Sequence, residues 1–267
     1  RKGQKMYSFD YVRPSGISEA ASAMGEDDRF LAGGQTLLPT LKLRLAQADK
    51  LVDLGAIADL KGISVSGSEI TIGAMTRHAD VASSADVKSA LPALAHLASG
   101  IGDPQVRNRG TIGGSIANND PAADYPAALL GLGATVHTNK RSISAEDFFV
   151  DLFETALDEG ELITKVTFPI PEKAGYAKFP NPASRFALTG VFVAKTASGV
   201  RVAVTGAGPC VFRQKEMEAA LANKFSGDAV ANVKTDPAAL NADIHASAEY
   251  RANLVSVMAA RAVKAAG

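Results

Sequence analysis

The spacing of apolar and polar residues divides the chain into short alternating segments followed by longer ones. Over residues 7–13 aromatic and β-branched positions alternate with polar ones, which predicts a short edge strand ending at Pro14. Ser18 then reads as the N-cap of an Ala-rich helix to about Met24, with Glu19 in its first turn. A brief strand at 30–32 precedes a helical pattern at 37–45 that ends in basic Lys42 and Arg44. Residues 50–54 form a strand, 57–60 a turn-like connector, and 63–66 with 69–72 a hairpin tipped by Gly67 and Ser68. An Ala- and Leu-rich helical region starts at Ala79 and runs through 90–99, and the basic segment PQVRNRG at 104–110 carries no assignment. A short helix at 126–131, a strand at 134–138, a short helix at 144–149 and a strand at 162–168 complete this part, closed by Pro169 and Pro171.

The final third changes character. Residues 176–179, 187–195 and 200–206 predict three strands of a meander, with Ser198 and Gly199 turning the last pair. Helices follow at about 213–221 and at 250–265, where Leu254, Val257, Met258 and Val263 share one face. Strands followed by helices predict an α+β unit in which an antiparallel sheet packs on helices.

Two stretches break these periodicities in the same way. Residues 111–125, TIGGSIANNDPAADY, place Gly113 and Gly114 between Thr111 with Ile112 and Ser115, ahead of a polar run to Asp120 and Asp124. Earlier, Ala32, Gly33, Gly34, Gln35, Thr36 and Leu37 form AGGQTL. Adjacent glycines permit positive φ and let another group approach the backbone N–H donors with no Cβ in the way. Successive N–H groups make a concave anion site, and nearby hydroxyls add donors, a geometry that suits a diphosphate. A strand-like run is expected ahead of each stretch, so the two loops are expected to converge on one dinucleotide. The helix expected after the first adds its amino-terminal dipole.

Composition narrows the classes. The chain has 267 residues, long enough for two or three compact units, with 28 basic residues against 28 acidic ones. That balance provides no field to recruit nucleic acid or an anionic membrane. No apolar run of spanning length and no signal pattern stands out, so the expected location is cytoplasmic. The only cysteine is Cys210, and the four histidines (His78, His96, His137 and His245) are scattered. An iron–sulfur cluster or structural zinc site is therefore not expected on this chain. Cys210 reads as a small apolar residue and each histidine as a surface or hydrogen-bonded core residue. No GxSxG elbow or HExxH pair is found, and GAG at 206–208 runs into Pro209, against a dinucleotide-binding turn. The segment RKGQK ahead of Met6 is set aside from the fold argument.

Together, AGGQTLLPTLK, TIGGSIANNDPAADYPA, VTGAGP and HASAEYR resemble the flavin-binding medium subunit of the molybdenum hydroxylases, the group of carbon monoxide dehydrogenase and xanthine dehydrogenase. The resemblance runs from about Met6 to the carboxyl end. It implies a two-part FAD-binding domain of the vanillyl-alcohol-oxidase (PCMH) type over 6–172, with subdomains of about 6–56 and 57–172. A carbon monoxide dehydrogenase flavoprotein type of carboxyl-terminal domain is implied over 176–267. It further implies that Ala32 to Thr36 and Thr111 to Ser115 wrap the FAD diphosphate and that Asp124 binds the nucleotide, where a helix N-cap is the alternative role. Ile101 and Leu162 fall at apolar contacts to the cofactor, and Lys178 at a position where a cation reaches the flavin. With no histidine in either glycine stretch, noncovalent FAD is expected.

The resemblance implies an electron-transfer role with no catalytic residue on this chain. A small partner subunit with [2Fe–2S] clusters supplies electrons, a large partner carries molybdenum–pterin, and an external acceptor receives the electrons; a dimer of heterotrimers is the expected assembly. Two other readings remain open from the residues: a stand-alone flavin oxidase or reductase of the same fold, and a nucleotide-phosphate-binding module without redox chemistry.

Overall fold

The computed structural model describes residues 6–267, and RKGQK lies outside the described residues. The chain begins with a small parallel sheet in which Lys50–Asp53 lies between Asp10–Val12 and Arg29–Leu31. Parallel pairing needs crossovers, supplied by the helices Ile17–Ser22 and Leu37–Lys42. Successive side chains on the middle strand point to opposite faces: Leu51 packs with Leu41 and Ala48, and Val52 with Ala20, Leu54 and Leu60. The first helix starts one residue before the expected cap, with Gly16 at the N-cap.

The second sheet has five antiparallel strands in the order Ile63–Ser66, Glu69–Gly73, Ile163–Pro169, Thr135–Thr138, Ser142–Ser144. The expected hairpin forms its first two strands. The Ala- and Leu-rich region resolves into three helices, His78–Ser83, Ala85–Ala90 and Pro92–Ser99. Ser84 accepts the Val87 amide and restarts the chain as a new helix, and Pro92 opens the third, where a missing N–H is harmless. PQVRNRG also forms a helix, Pro104–Arg109, capped by the Asp103 carboxylate on the Val106 amide. A small hairpin of Phe149–Asp151 and Glu154–Thr155, absent from the sequence expectation, is tied by the Asn119 amide to the carbonyls of Asp151 and Glu154.

The third sheet is a meander of Lys173–Pro180, Ala187–Thr196, Gly199–Thr205 and a short fourth strand, Phe212–Arg213. Both faces are covered. Val191, Val193, Val202 and Val204 pack against Met217, Val255, Met258 and Ala262 of the helical layer that includes Ala248–Ala265. The alternate residues Phe192, Ala194 and Ala203 join the same core as the helix Tyr125–Leu132. All eight residues of that helix are buried, because it lies between the five-stranded sheet and the meander. A helix covered on both sides has no polar stripe. Arg251, from HASAEYR, is buried and donates to the carbonyls of Leu188 and Gly206 and to Asp243, which pins the last helix to the sheet.

Candidate functional site

A cavity of about 560 Å³ opens where the three sheets meet, within the usual range of about 300–1,000 Å³ for small-molecule sites. Ala32, Gly33, Gly34, Gln35, Thr36 and Leu37 all line it, as do Thr111, Gly113, Gly114 and Ser115. The two glycine stretches touch. A Cβ on Gly33 would lie 2.2 Å from the Arg109 carbonyl oxygen and 2.8 Å from the Gly110 Cα, and one on Gly114 would lie 3.4 Å from the Ala32 Cβ. Gly33 is therefore required by close backbone approach, and Gly34 by its φ of 73°.

Their local structures differ. The first stretch follows the strand Arg29–Leu31 and is an open turn into the helix Leu37–Lys42. Among the described residues, the amides of Gly33, Gly34, Gln35, Thr36 and Leu37 have no acceptor in the protein. Five consecutive unengaged donors thus belong to residues that line the cavity at a helix amino end, the arrangement that suits an anionic oxygen.

The second stretch departs from expectation. It is not a loop but the first turn of the helix Ile112–Asn118, and it follows the helix Pro104–Arg109 instead of a strand. Neither Gly113 nor Gly114 has positive φ. Their amides are occupied: Ile112 N–H donates to the Thr76 carbonyl, Gly113 N–H to the Ala74 carbonyl at 2.8 Å, and Gly114 N–H to the Thr111 hydroxyl, the N-cap. Gly113 is glycine because a Cβ would meet Ala74, 2.6 Å from its Cβ and 2.8 Å from its carbonyl oxygen.

Ile101 and Leu162 line the cavity. Ile112 does not; its side chain is fully buried in the core. Asp124 lines the cavity and does not cap the following helix; its carboxylate receives the Tyr176 hydroxyl at 2.6 Å and the Lys178 ammonium at 2.9 Å. Lys178 is not a lining residue, because its ammonium is turned to Asp124 and the Gly100 carbonyl. Burial pushes the Asp124 carboxyl above its usual range, against the pull of Lys178. Burial likewise raises Asp120, which lines the same wall and accepts the Ala122 amide. Glu161 is held down to about 2, chiefly by the Arg141 guanidinium that binds it at 2.9 Å.

Several lining residues escaped the sequence reading. Arg29 adds a cation, Phe30 and Leu54 add apolar wall, and Arg185 and Phe186 reach over from the loop between the first two meander strands. That loop is brought in by backbone pairing, Ala187 N–H to the Ala122 carbonyl and Gly206 N–H to the Pro121 carbonyl, which no local pattern announces. Asp120 and Asn118 lie in the polar run already singled out. The residues fit FAD: free amides suit its diphosphate, and Phe30, Ile101, Leu162 and Phe186 offer apolar surface to its rings. Among the described residues no cluster of three His, Cys, Asp or Glu side chains is placed to hold a metal ion, and no helix is long and apolar enough to cross a membrane.

A family model described as the FAD binding domain in molybdopterin dehydrogenase matches residues 7–171. The chain is 35% identical to the carbon monoxide dehydrogenase medium chain of Hydrogenophaga pseudoflava over 97% of this chain and 96% of that one. It is 36% identical to the glyceraldehyde dehydrogenase medium chain of Sulfolobus acidocaldarius, over 96% and 97% respectively. Among solved structures, carbon monoxide dehydrogenase from Hydrogenophaga pseudoflava lacking the Mo-pyranopterin moiety superposes with a TM-score of 0.88 at 35% identity, covering 98% of each chain.

Proposed function

This chain belongs to the family of FAD-binding domains of the molybdopterin dehydrogenases, and from that membership we propose that it is the electron-transferring medium subunit of a molybdenum hydroxylase. It takes electrons from a small [2Fe–2S] partner, fed in turn by a large molybdenum–pterin partner, and passes them to an external acceptor. The assembly is a dimer of heterotrimers in the cytoplasm. FAD supplies the electron-transfer chemistry when bound, and the protein binds, orients and tunes it.

The observation that carries the reading is the row of five unengaged amides from Gly33 to Leu37, set where the two glycine stretches meet. These amides hold the diphosphate, with Ser115 and Thr111 lining the opposite side. Ile101 and Leu162 pack on the ring systems, and Asp124 faces the cofactor with its charge balanced by Lys178. No side chain in either glycine stretch offers an imidazole for covalent attachment, so the cofactor is held noncovalently.

Purified protein should carry a flavin spectrum and release FAD on acid treatment at about one per chain. Expression with its neighbouring subunits should give a complex in which the flavin is reduced through the iron–sulfur chain. A colourless chain that binds no FAD would overturn the reading. The other reading, a self-sufficient flavin oxidase, would be favoured by substrate-dependent flavin reduction in the isolated chain.

A further inference from the structure

His78 has a chemical position that the fold does not need. It opens the helix His78–Ser83, with its own amide on the Gly110 carbonyl at 3.0 Å, and the residue is only 5% exposed. One face of the imidazole leans on Tyr125, with centroids 5.4 Å apart. Its Nε2 and Cδ2 edge lies against Gly110, where a Cβ would meet them at 2.5 and 2.8 Å. Gly110 and His78 both line the cavity, so the missing side chain at Gly110 leaves that ring edge open.

The two ring nitrogens are in different situations. Among the described residues, Nδ1 is sealed from solvent with no hydrogen-bond partner, and the neighbouring Tyr125 hydroxyl is sealed and unpartnered as well. Nε2 also has no protein partner among the described residues, yet it is not sealed. Burial, helped by the Arg107 charge, lowers the pKa of His78 to about 4, so the ring is neutral near pH 7 and carries one N–H. A buried donor with no acceptor is costlier than a buried lone pair. The proton therefore belongs on Nε2, the ring edge that lies against Gly110 at the cavity wall.

We infer that the Nε2–H of His78 donates a hydrogen bond to an oxygen of the bound cofactor, on its diphosphate or ribityl segment. The site is beside the contact of Gly33 with Arg109 and Gly110, so the donor stands next to the amide row of the first glycine stretch. The inference rests on the FAD reading above, and its acceptor is an oxygen in either source.

The test is FAD binding by the full chain, followed by fluorescence quenching after the flavin is removed and added back. His78→Leu should raise the FAD Kd about tenfold, equivalent to about 1.4 kcal/mol. His78→Gln, whose amide nitrogen reaches the Nε2 position, should recover most of that loss, and His78→Asn, which reaches only toward Nδ1, should not. Repeating the Leu variant with ADP and with riboflavin locates the acceptor: weakened ADP binding assigns the diphosphate, weakened riboflavin binding the ribityl side. Proton-detected ¹⁵N spectra of the flavin-free protein should show the Nε2–H tautomer, a readout that does not depend on how well the variants fold. An Nδ1–H tautomer, an unchanged Kd for His78→Leu, or equal losses in the Leu and Gln variants would overturn the inference. If the wild-type chain itself binds no FAD, the functional reading fails first, which is a separate result.

Discussion

The two glycine stretches look interchangeable as sequence and do opposite work in the structure. AGGQTL is an open turn in which, among the described residues, the amides from Gly33 to Leu37 have no partner, and TIGGS is the first turn of a helix whose Ile112, Gly113, Gly114 and Ser115 amides are already bonded. Glycine at 34 supplies a left-handed φ, glycine at 33 lets one backbone touch another, and glycine at 113 makes room for Ala74. The cavity wall is therefore divided into a ligand-facing side with polar groups in reserve and a supporting side whose polar groups hold the fold. Asp124 belongs to both sides: it lines the cavity, and Lys178 and Tyr176 already hold its carboxylate.

The sharpest way to break this contrast is on the supporting side. Lys178→Met would leave the Asp124 carboxylate buried against Tyr176 with no cation, and losing one partner of a buried pair costs about 3–5 kcal/mol. Denaturant unfolding should register that loss. A cost below about 1 kcal/mol would return Lys178 to a role toward the cofactor alone.

Gly33→Ala comes next. Its Cβ would enter the Arg109 carbonyl, a backbone obstacle that cannot swing aside, so the cost should reach the upper end of the overpacking range of about 1–3 kcal/mol and the protein should lose its flavin. Retained stoichiometric FAD in a protein of native stability would show that the two stretches need not touch.

A smaller effect is expected from Thr111→Ala. Removing an N-cap hydroxyl should cost about 1 kcal/mol in thermal or chemical unfolding. FAD affinity should change less than twofold if the Thr111 hydroxyl serves the helix; a loss of tenfold or more would give that hydroxyl to the cofactor.

Hydrogen exchange sharpens the comparison with no mutation and no change in stability. In flavin-free protein the amides from Gly33 to Leu37 should exchange quickly, and those of Gly113 and Gly114 slowly. Adding FAD should slow the first set and leave the second nearly unchanged. Equal protection gained by both sets would mean that both stretches wrap the diphosphate through their backbones.

Much of the fold is legible in short-range pattern. The hairpin at Ile63–Ser66 and Glu69–Gly73 follows from alternation around Gly67 and Ser68, and the last helix from the spacing of Leu254, Met258 and Val263. The helix Pro104–Arg109 had a readable signal, Asp at the N-cap and Pro at the first helical position, obscured by the charge of the segment. TIGGS was harder to read: two glycines lower helix propensity, and only the Thr111 cap and the contact with Ala74 make a helix acceptable there. His78 is similar, since nothing local says that Tyr125, 47 places along, will pack on its ring or that Gly110 will lie against its Nε2 edge.

The amino-acid order by itself determined the residue types of the site: the two diglycines, their hydroxyl neighbours, the apolar Ile101 and Leu162, and the family to which those motifs belong. It did so because turn chemistry, helix spacing and strand alternation depend on neighbours a few positions away. Only the tertiary structure decided which amides stay free, where the Lys178 charge goes, and that Arg185 and Phe186 reach the cavity from the meander. Those outcomes are set by which distant donor finds which distant acceptor, and a hydrogen bond between residues 54 or 63 places apart leaves no local trace.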